Sequence, residues 1–101
     1  MSTYRNRRLL DIAHEAPCFL QIEGVCQSGL YPSVPAHSNM LRHGRGVGHK
    51  SSDAFCVASC PACHSWLDTG GATRSDKQER FMAGLERYWL YLWESGKVKV
   101  T

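Results

Sequence analysis

The run Cys60-Pro61-Ala62-Cys63-His64, followed four residues later by Asp68, gathers the side chains of this chain best suited to chemistry. Two thiols two residues apart can grip one side of a metal ion. An imidazole directly after the second thiol can face away from that metal and act on something else. A second pair, Cys18 and Cys26, stands seven residues apart, and a tetrahedral thiolate site needs four ligands. This spacing predicts a structural zinc at Cys18, Cys26, Cys60 and Cys63. The zinc staple would hold His64 near a second active histidine, His37. Cys56 lies in the apolar run Ala54-Phe55-Cys56-Val57-Ala58 and reads as a small core residue.

The bulk properties narrow the setting. A chain of 101 residues is one domain whose apolar core alone would be marginal, so a metal staple has work to do. Composition is ordinary for a globular protein, with 43% hydrophobic and 21% charged residues. No apolar run approaches the roughly 18 residues needed to span a bilayer. No apolar stretch follows the Arg-rich start either, so a cytoplasmic protein without membrane contact is expected. Five cysteines, an odd number, fit a metal site better than a disulfide framework. The net charge of +3 is unevenly placed: residues 1–50 carry six Lys/Arg against three Asp/Glu, and residues 51–101 carry six of each. A mildly basic first half suits a polyanionic partner without demanding one.

The elements that must position these residues follow from local pattern. Residues 4–16 read as a short helix with Leu9, Ile12, Ala13 and Ala16 as its apolar stripe and Pro17 as its stop. Arg5, Arg7 and Arg8 cluster at its start, either as a solvated helix end or as a phosphate contact. From Cys18 to Cys26, Leu20 and Ile22 alternate with polar neighbours like a strand, and Glu23-Gly24 signals a turn, so a hairpin-like excursion would bring the two thiols together. Residues 33–38 can form an edge strand around Pro35, with His37 opposite in facing to Val34 and Ala36. Residues 54–58 are the natural antiparallel partner. The connection between them, residues 39–53, is glycine-rich and basic, and a loop of that length is usually functional or disordered. Residues 61–69 read as a short helix opened by Pro61 and ended by Gly70-Gly71. A longer helix over about 76–95 would start at a Ser75–Gln78 capping box, bury Phe81, Leu85, Tyr88, Trp89 and Leu92, and stop at Gly96. The tail, residues 97–100, alternates like an edge strand.

Placed in order, these give zinc pair, strand with histidine, basic loop, strand, zinc pair, histidine, helix. In that order the chain resembles the ββα-metal (HNH) nuclease superfamily, and most of all its small prophage-encoded nucleases of the YbcO type. Ala36-His37 matches the first-strand histidine, Asp53 falls where the family's middle asparagine sits, and Cys60-x2-Cys63-His64 matches its C-x2-C-H. With Cys18, Gly24-Val25-Cys26 and His64-x3-Asp68, the likeness covers roughly residues 10–70.

The resemblance implies an α+β fold: a zinc-stabilised, treble-clef-like ββα-metal core over about residues 17–70, flanked by an N-terminal helix and a long C-terminal packing helix in one domain. It also implies a metal-dependent endonuclease hydrolysing phosphodiester bonds, with DNA as the expected partner. A non-catalytic zinc-containing nucleic-acid-binding or adaptor module is the alternative. His37 would be the general base and Asp53 would orient it. His64 and Asp68, one helical turn apart, would ligate Mg2+ or another divalent cation, with His64 counted among the catalytic residues. Arg42, Arg45 and Lys50 would hold flanking phosphates without reading sequence. Many members carry an acidic ligand just before the base histidine, where this chain has Ala36. The cation would then rest mainly on His64 and Asp68, or His37 would itself be a ligand, or His43 or His49 would supply the missing contact. Otherwise His43 and His49 read as phosphate contacts or solvated loop residues.

Overall fold

A computed structural model of the chain describes residues 4–46 and 48–100. Helix α1 spans Arg7–Glu15 and begins where it does because Asn6, in extended backbone, accepts hydrogen bonds from the N–H groups of Arg8 and Leu9 on its side chain. The helix expected over residues 4–16 is therefore shorter at its start. Tyr4 and Asn6 turn instead toward Asp53: the Asp53 N–H donates to the Tyr4 carbonyl at 2.9 Å, and the Asn6 N–H donates to Asp53 Oδ2 at 2.7 Å. Ile12 and Ala13 form the buried face of α1.

Residues 18–26 depart from the strand expectation. Leu20 and Ile22 are buried, as their alternation implies, but the segment is an irregular loop with a positive φ of 50° at Gln21. It closes by bonds from the N–H groups of Val25 and Cys26 to the Ile22 carbonyl, at 3.0 and 2.9 Å. The physical reason lies in where its backbone donors go. The Ile22 N–H donates to the Cys63 sulfur at 3.4 Å, and the Gln27 N–H, just beyond the segment, donates to the Cys60 sulfur at 3.3 Å. Donors directed at thiols cannot build a ladder with a neighbouring strand.

Strand β1, Val34–His37, and strand β2, Cys56–Ser59, pair antiparallel in the register Val34↔Ser59, Pro35↔Ala58, Ala36↔Val57 and His37↔Cys56. All four residues of β2 are buried. Among the described residues, the connection between the strands carries a 3-10 turn over Leu41–His43, an antiparallel bridge between Gly46 and His49 and a second 3-10 turn over Asp53–Phe55. Helix α2, Pro61–Thr69, leaves β2 through Cys60, whose sulfur accepts from the Cys63 N–H as an N-cap. It stops at Gly70, where a Cβ would lie 2.5 Å from the Trp66 carbonyl oxygen.

Helix α3, Arg74–Glu94, starts two residues before the expected capping box. Thr73, not Ser75, is the cap, accepting from the Asp76 N–H at 3.1 Å. Phe81, Gly84, Leu85, Tyr88 and Leu92 are its buried face. Trp89 is 42% exposed and leaves the expected stripe, because it lies about 100° around the helix from Tyr88. Gly96, at φ 76°, follows the end of α3. Residues 97–100 do not continue as a strand; the chain folds back so that the Val98 N–H donates to the Leu92 carbonyl. Helices α1, α2 and α3 and both strands contribute to one buried cluster, and β2 carries α1, α2 and α3 against it. Among the described residues, no helix is long and apolar enough to cross a membrane. The described residues thus form a small α+β fold with three α-helices and a two-stranded sheet.

Candidate functional site

Cys18, Cys26, Cys60 and Cys63 converge between the 18–26 loop and the start of α2. Their sulfur atoms all lie within 4.8 Å of one another. Tetrahedral zinc–thiolate bonds of about 2.3 Å place sulfurs roughly 3.8 Å apart, so a small inward shift of the thiols would close this set around one ion. Three of the four are buried and Cys26 is partly so. Burial pushes the Cys60 thiol up, but N–H donors from Gln27 and Cys63 outweigh it and bring that thiol down to about 7. Burial pushes Cys63 up, reinforced by Cys18 and Cys60 beside it. Four thiolates this close repel unless a cation lies among them, and the inward N–H groups suit sulfurs that carry negative charge. The four cysteines could hold a metal ion. Cys56 stands apart on β2 as a core thiol, pushed up to about 12 by burial and by the negative Asp53.

His37 ends β1, and its Nε2 lies 2.8 Å from Asp53 Oδ1. The two side chains are 9% and 4% exposed. Burial raises the Asp53 carboxyl, but hydrogen bonds from His37 and the Asn6 N–H, with the positive Arg5, bring it below the usual carboxylate range. Asp53 is therefore ionised near neutral pH and can only accept. His37 must donate through Nε2, and among the described residues no hydrogen bond to its Nδ1 is found. Arg5 reaches the same carboxylate at 3.3 Å and also donates to the carbonyls of Lys50 and Ser51. Sequence reasoning missed this role of Arg5, because its partner lies 48 residues away and nothing local points to it.

His64 and Asp68 project from one face of α2, with Nε2 and Oδ2 3.2 Å apart and side chains 38% and 41% exposed. Asn39, just beyond β1, donates to the other Asp68 oxygen at 3.3 Å. Among the described residues, only the four cysteines gather three or more His, Cys, Asp or Glu ligand atoms. A cation at α2 would thus have two protein ligands, His64 and Asp68, without a third from His37, His43 or His49. Ala36 is fully buried opposite Val57 in the ladder.

His43 is neither a solvated loop residue nor a phosphate contact. It is buried, stacks on Phe55 with centroids 4.0 Å apart and planes 9° off parallel, and its Nδ1 lies 2.6 Å from Ser38 Oγ. Burial, with Arg42 nearby, lowers its pKa. His49 is exposed. Arg42, Arg45 and Lys50 are exposed. Arg42 lines a cleft with Asn39, Asp68, Arg74 and Lys77. Of the N-terminal arginines, Arg5 is drawn to Asp53 and Arg7 pairs with Asp11 at 3.4 Å. That start is therefore not a uniform phosphate-binding patch.

Comparison with protein-family models, with curated proteins and with solved structures finds no match to the chain.

Proposed function

We propose that the chain is a metal-dependent endonuclease of the ββα-metal (HNH) type, built on a zinc-stapled scaffold and acting on DNA. The observation that carries the reading is the His37–Asp53 pair, 2.8 Å apart at the end of β1, in a chain whose next strand leads into a helix bearing His64 and Asp68. His37 takes the proton of the attacking water at Nδ1. Asp53 holds the ring by Nε2–H and stabilises the imidazolium that forms. His64 and Asp68 would hold the divalent cation, which when bound supplies charge stabilisation at the phosphate and the leaving oxygen. The four cysteines would hold zinc, which takes no part in hydrolysis but fixes where α2 presents His64. Free thiols fit a reducing, cytoplasmic setting.

The test is plasmid cleavage by the purified protein with and without Mg2+ or Mn2+. Divalent-dependent nicking should fall by about 100-fold or more in His37→Ala. Cleavage independent of the cation, or unchanged in that variant, would overturn the catalytic reading. The presence of only two protein ligands at α2 favours one second reading, a nucleic-acid-binding module without catalysis. That reading predicts no cleavage and salt-sensitive DNA binding that survives loss of both His37 and His64.

A further inference from the structure

Next to His64 and Asp68 the surface opens into a cleft of ≈ 670 Å³ between the residues after β1 and the junction of α2 with α3. Its rim carries Arg42, Arg74 and Lys77, and its floor is made by the largely buried Met40, Leu67 and Phe81 with the exposed Leu41 beside them. Asp68 is the one carboxylate on its lining, already bonded to His64 and Asn39. Among the described residues, no carboxylate lies within 4.0 Å of Arg42, Arg74 or Lys77, whereas Arg80, further along α3, pairs with Asp76 at 3.5 Å. Three cations without an ion pair therefore line one cleft against a single carboxylate.

Two of them also stand against the local electrostatics. Arg74 and Lys77 occupy the first turns of a 21-residue helix, where the helix dipole disfavours positive charge. An anion seated between them would offset both the dipole and the mutual repulsion. The floor adds a second requirement. A cleft of this volume matches a ligand of nucleotide size, and an apolar floor suits a base or sugar more than bulk solvent. A duplex keeps its bases stacked inside and would present only phosphates here. A strand with an unpaired nucleotide satisfies both rim and floor.

We propose that this cleft holds one unpaired nucleotide of a nucleic-acid strand, its phosphates on Arg42, Arg74 and Lys77 and its base over Met40, Leu67 and Phe81. This rests on the nucleic-acid reading above and narrows its substrate class: the strand is unpaired beside the bond that His37 and His64 address, as in a single strand, a flap or a loop.

The test uses the zinc-loaded full chain carrying His37→Ala, without added divalent cation. Fluorescence anisotropy is read with a fluorescein-labelled 12-nucleotide oligothymidine and with a 12-base-pair duplex. The single strand should bind at least about tenfold more tightly than the duplex. Arg74→Ala/Lys77→Ala should weaken single-strand binding about tenfold and leave the duplex within about twofold. Losing two phosphate contacts should also reduce the slope of log K against log salt by about 1.4. Arg80→Ala, which removes one positive charge from a paired site on α3, should leave single-strand binding within about twofold. Far-UV circular dichroism checks that each variant keeps its helix. No single-strand binding, equal or tighter duplex binding, an unaffected double variant, or an equal loss in Arg80→Ala would each overturn the inference. If plasmid and single-strand cleavage are absent while Arg74- and Lys77-dependent binding persists, the catalytic reading falls and the cleft assignment stands.

Discussion

Asp53 ties three groups together on two oxygens: the His37 ring, the Asn6 N–H and the Arg5 guanidinium. Its side chain is 4% exposed, so losing the charge would leave Arg5 and His37 with an inferior acceptor. Hydrogen bonds to charged groups are worth about 1.5–3 kcal/mol, and Asp53→Asn should destabilise by about that much at pH 7. The pH dependence has a defined sign. A carboxyl whose folded pKa lies below its unfolded value contributes stability that is fully present above about pH 4 and disappears as pH falls through the folded value. The gap between wild type and Asp53→Asn in urea denaturation should therefore be open at about pH 5 and close as the pH falls below about 4. A gap unchanged at pH 3 would show that the charge of Asp53 is not what stabilises the N-terminal segment. Tyr88 offers the opposite case. Its hydroxyl is buried with no hydrogen-bond partner among the described residues, and burial raises its pKa. Tyr88→Phe removes an unsatisfied group without changing the ring's packing on Phe19 and should be neutral or stabilising by up to about 1 kcal/mol in the same assay. A loss above about 1 kcal/mol would mean that the hydroxyl has a partner.

Between elements, the close approach of α3 to the 18–26 loop depends on Gly84. A Cβ there would lie 3.0 Å from the Phe19 carbonyl oxygen and 3.3 Å from Leu20 Cα. Alanine normally gains about 1 kcal/mol over glycine inside a helix. Here the loop is held from two sides, because the Phe19 N–H donates to Ala58 on β2 and its carbonyl accepts from Arg87 at 2.8 Å. Giving way by a few tenths of an ångström would strain these bonds, so Gly84→Ala should be net destabilising by about 1–2 kcal/mol, read as a lowered Tm. A stabilised variant would show that the loop yields. The same junction marks how far the sequence could be read. Strands β1 and β2 themselves, the start of α2 at Cys60-Pro61, and the buried stripe of Phe81, Leu85, Tyr88 and Leu92 were legible because each is written in residues a few positions apart. The four-cysteine cluster was legible because C-x2-C spacing reflects a local backbone turn. The conformation of residues 18–26 was not, since their burial pattern is the same whether the Ile22 N–H meets a strand or a sulfur 41 residues away. His43 was misjudged because a glycine-rich, basic surrounding says nothing of Phe55, which its ring covers. Arg74 and Lys77 carry no motif; only the fold brings them opposite Arg42.

Across the whole molecule, the cysteine cluster joins two parts of the chain. One is the loop at residues 18–26, which meets β2 through the Phe19–Ala58 bond; the other is the turn from β2 into α2. A domain of this size has only about 5–15 kcal/mol of net stability. A structural zinc in a four-cysteine site contributes an apparent binding free energy of about 10 kcal/mol or more, comparable to that whole margin. The proposed zinc should thus decide whether the chain is folded at all. The purified protein should contain about one equivalent of zinc by elemental analysis, and a strong chelator should abolish its cooperative thermal transition. Cys60→Ser should lose most of the metal and unfold with it, because the Cys60 sulfur also accepts the N–H groups that cap α2 and anchor Gln27. Cys56→Ala supplies the contrast: its thiol is buried on β2 but lies outside the cluster. That variant should keep its zinc and lose only about 1–2 kcal/mol, the cost of a small cavity. If Cys56→Ala released the metal as readily as Cys60→Ser, or if wild type kept its thermal transition after complete zinc removal, the core would be holding the loop and the helix together without the ion. His64 would then owe its position to apolar packing around Leu20, Leu67 and Phe81.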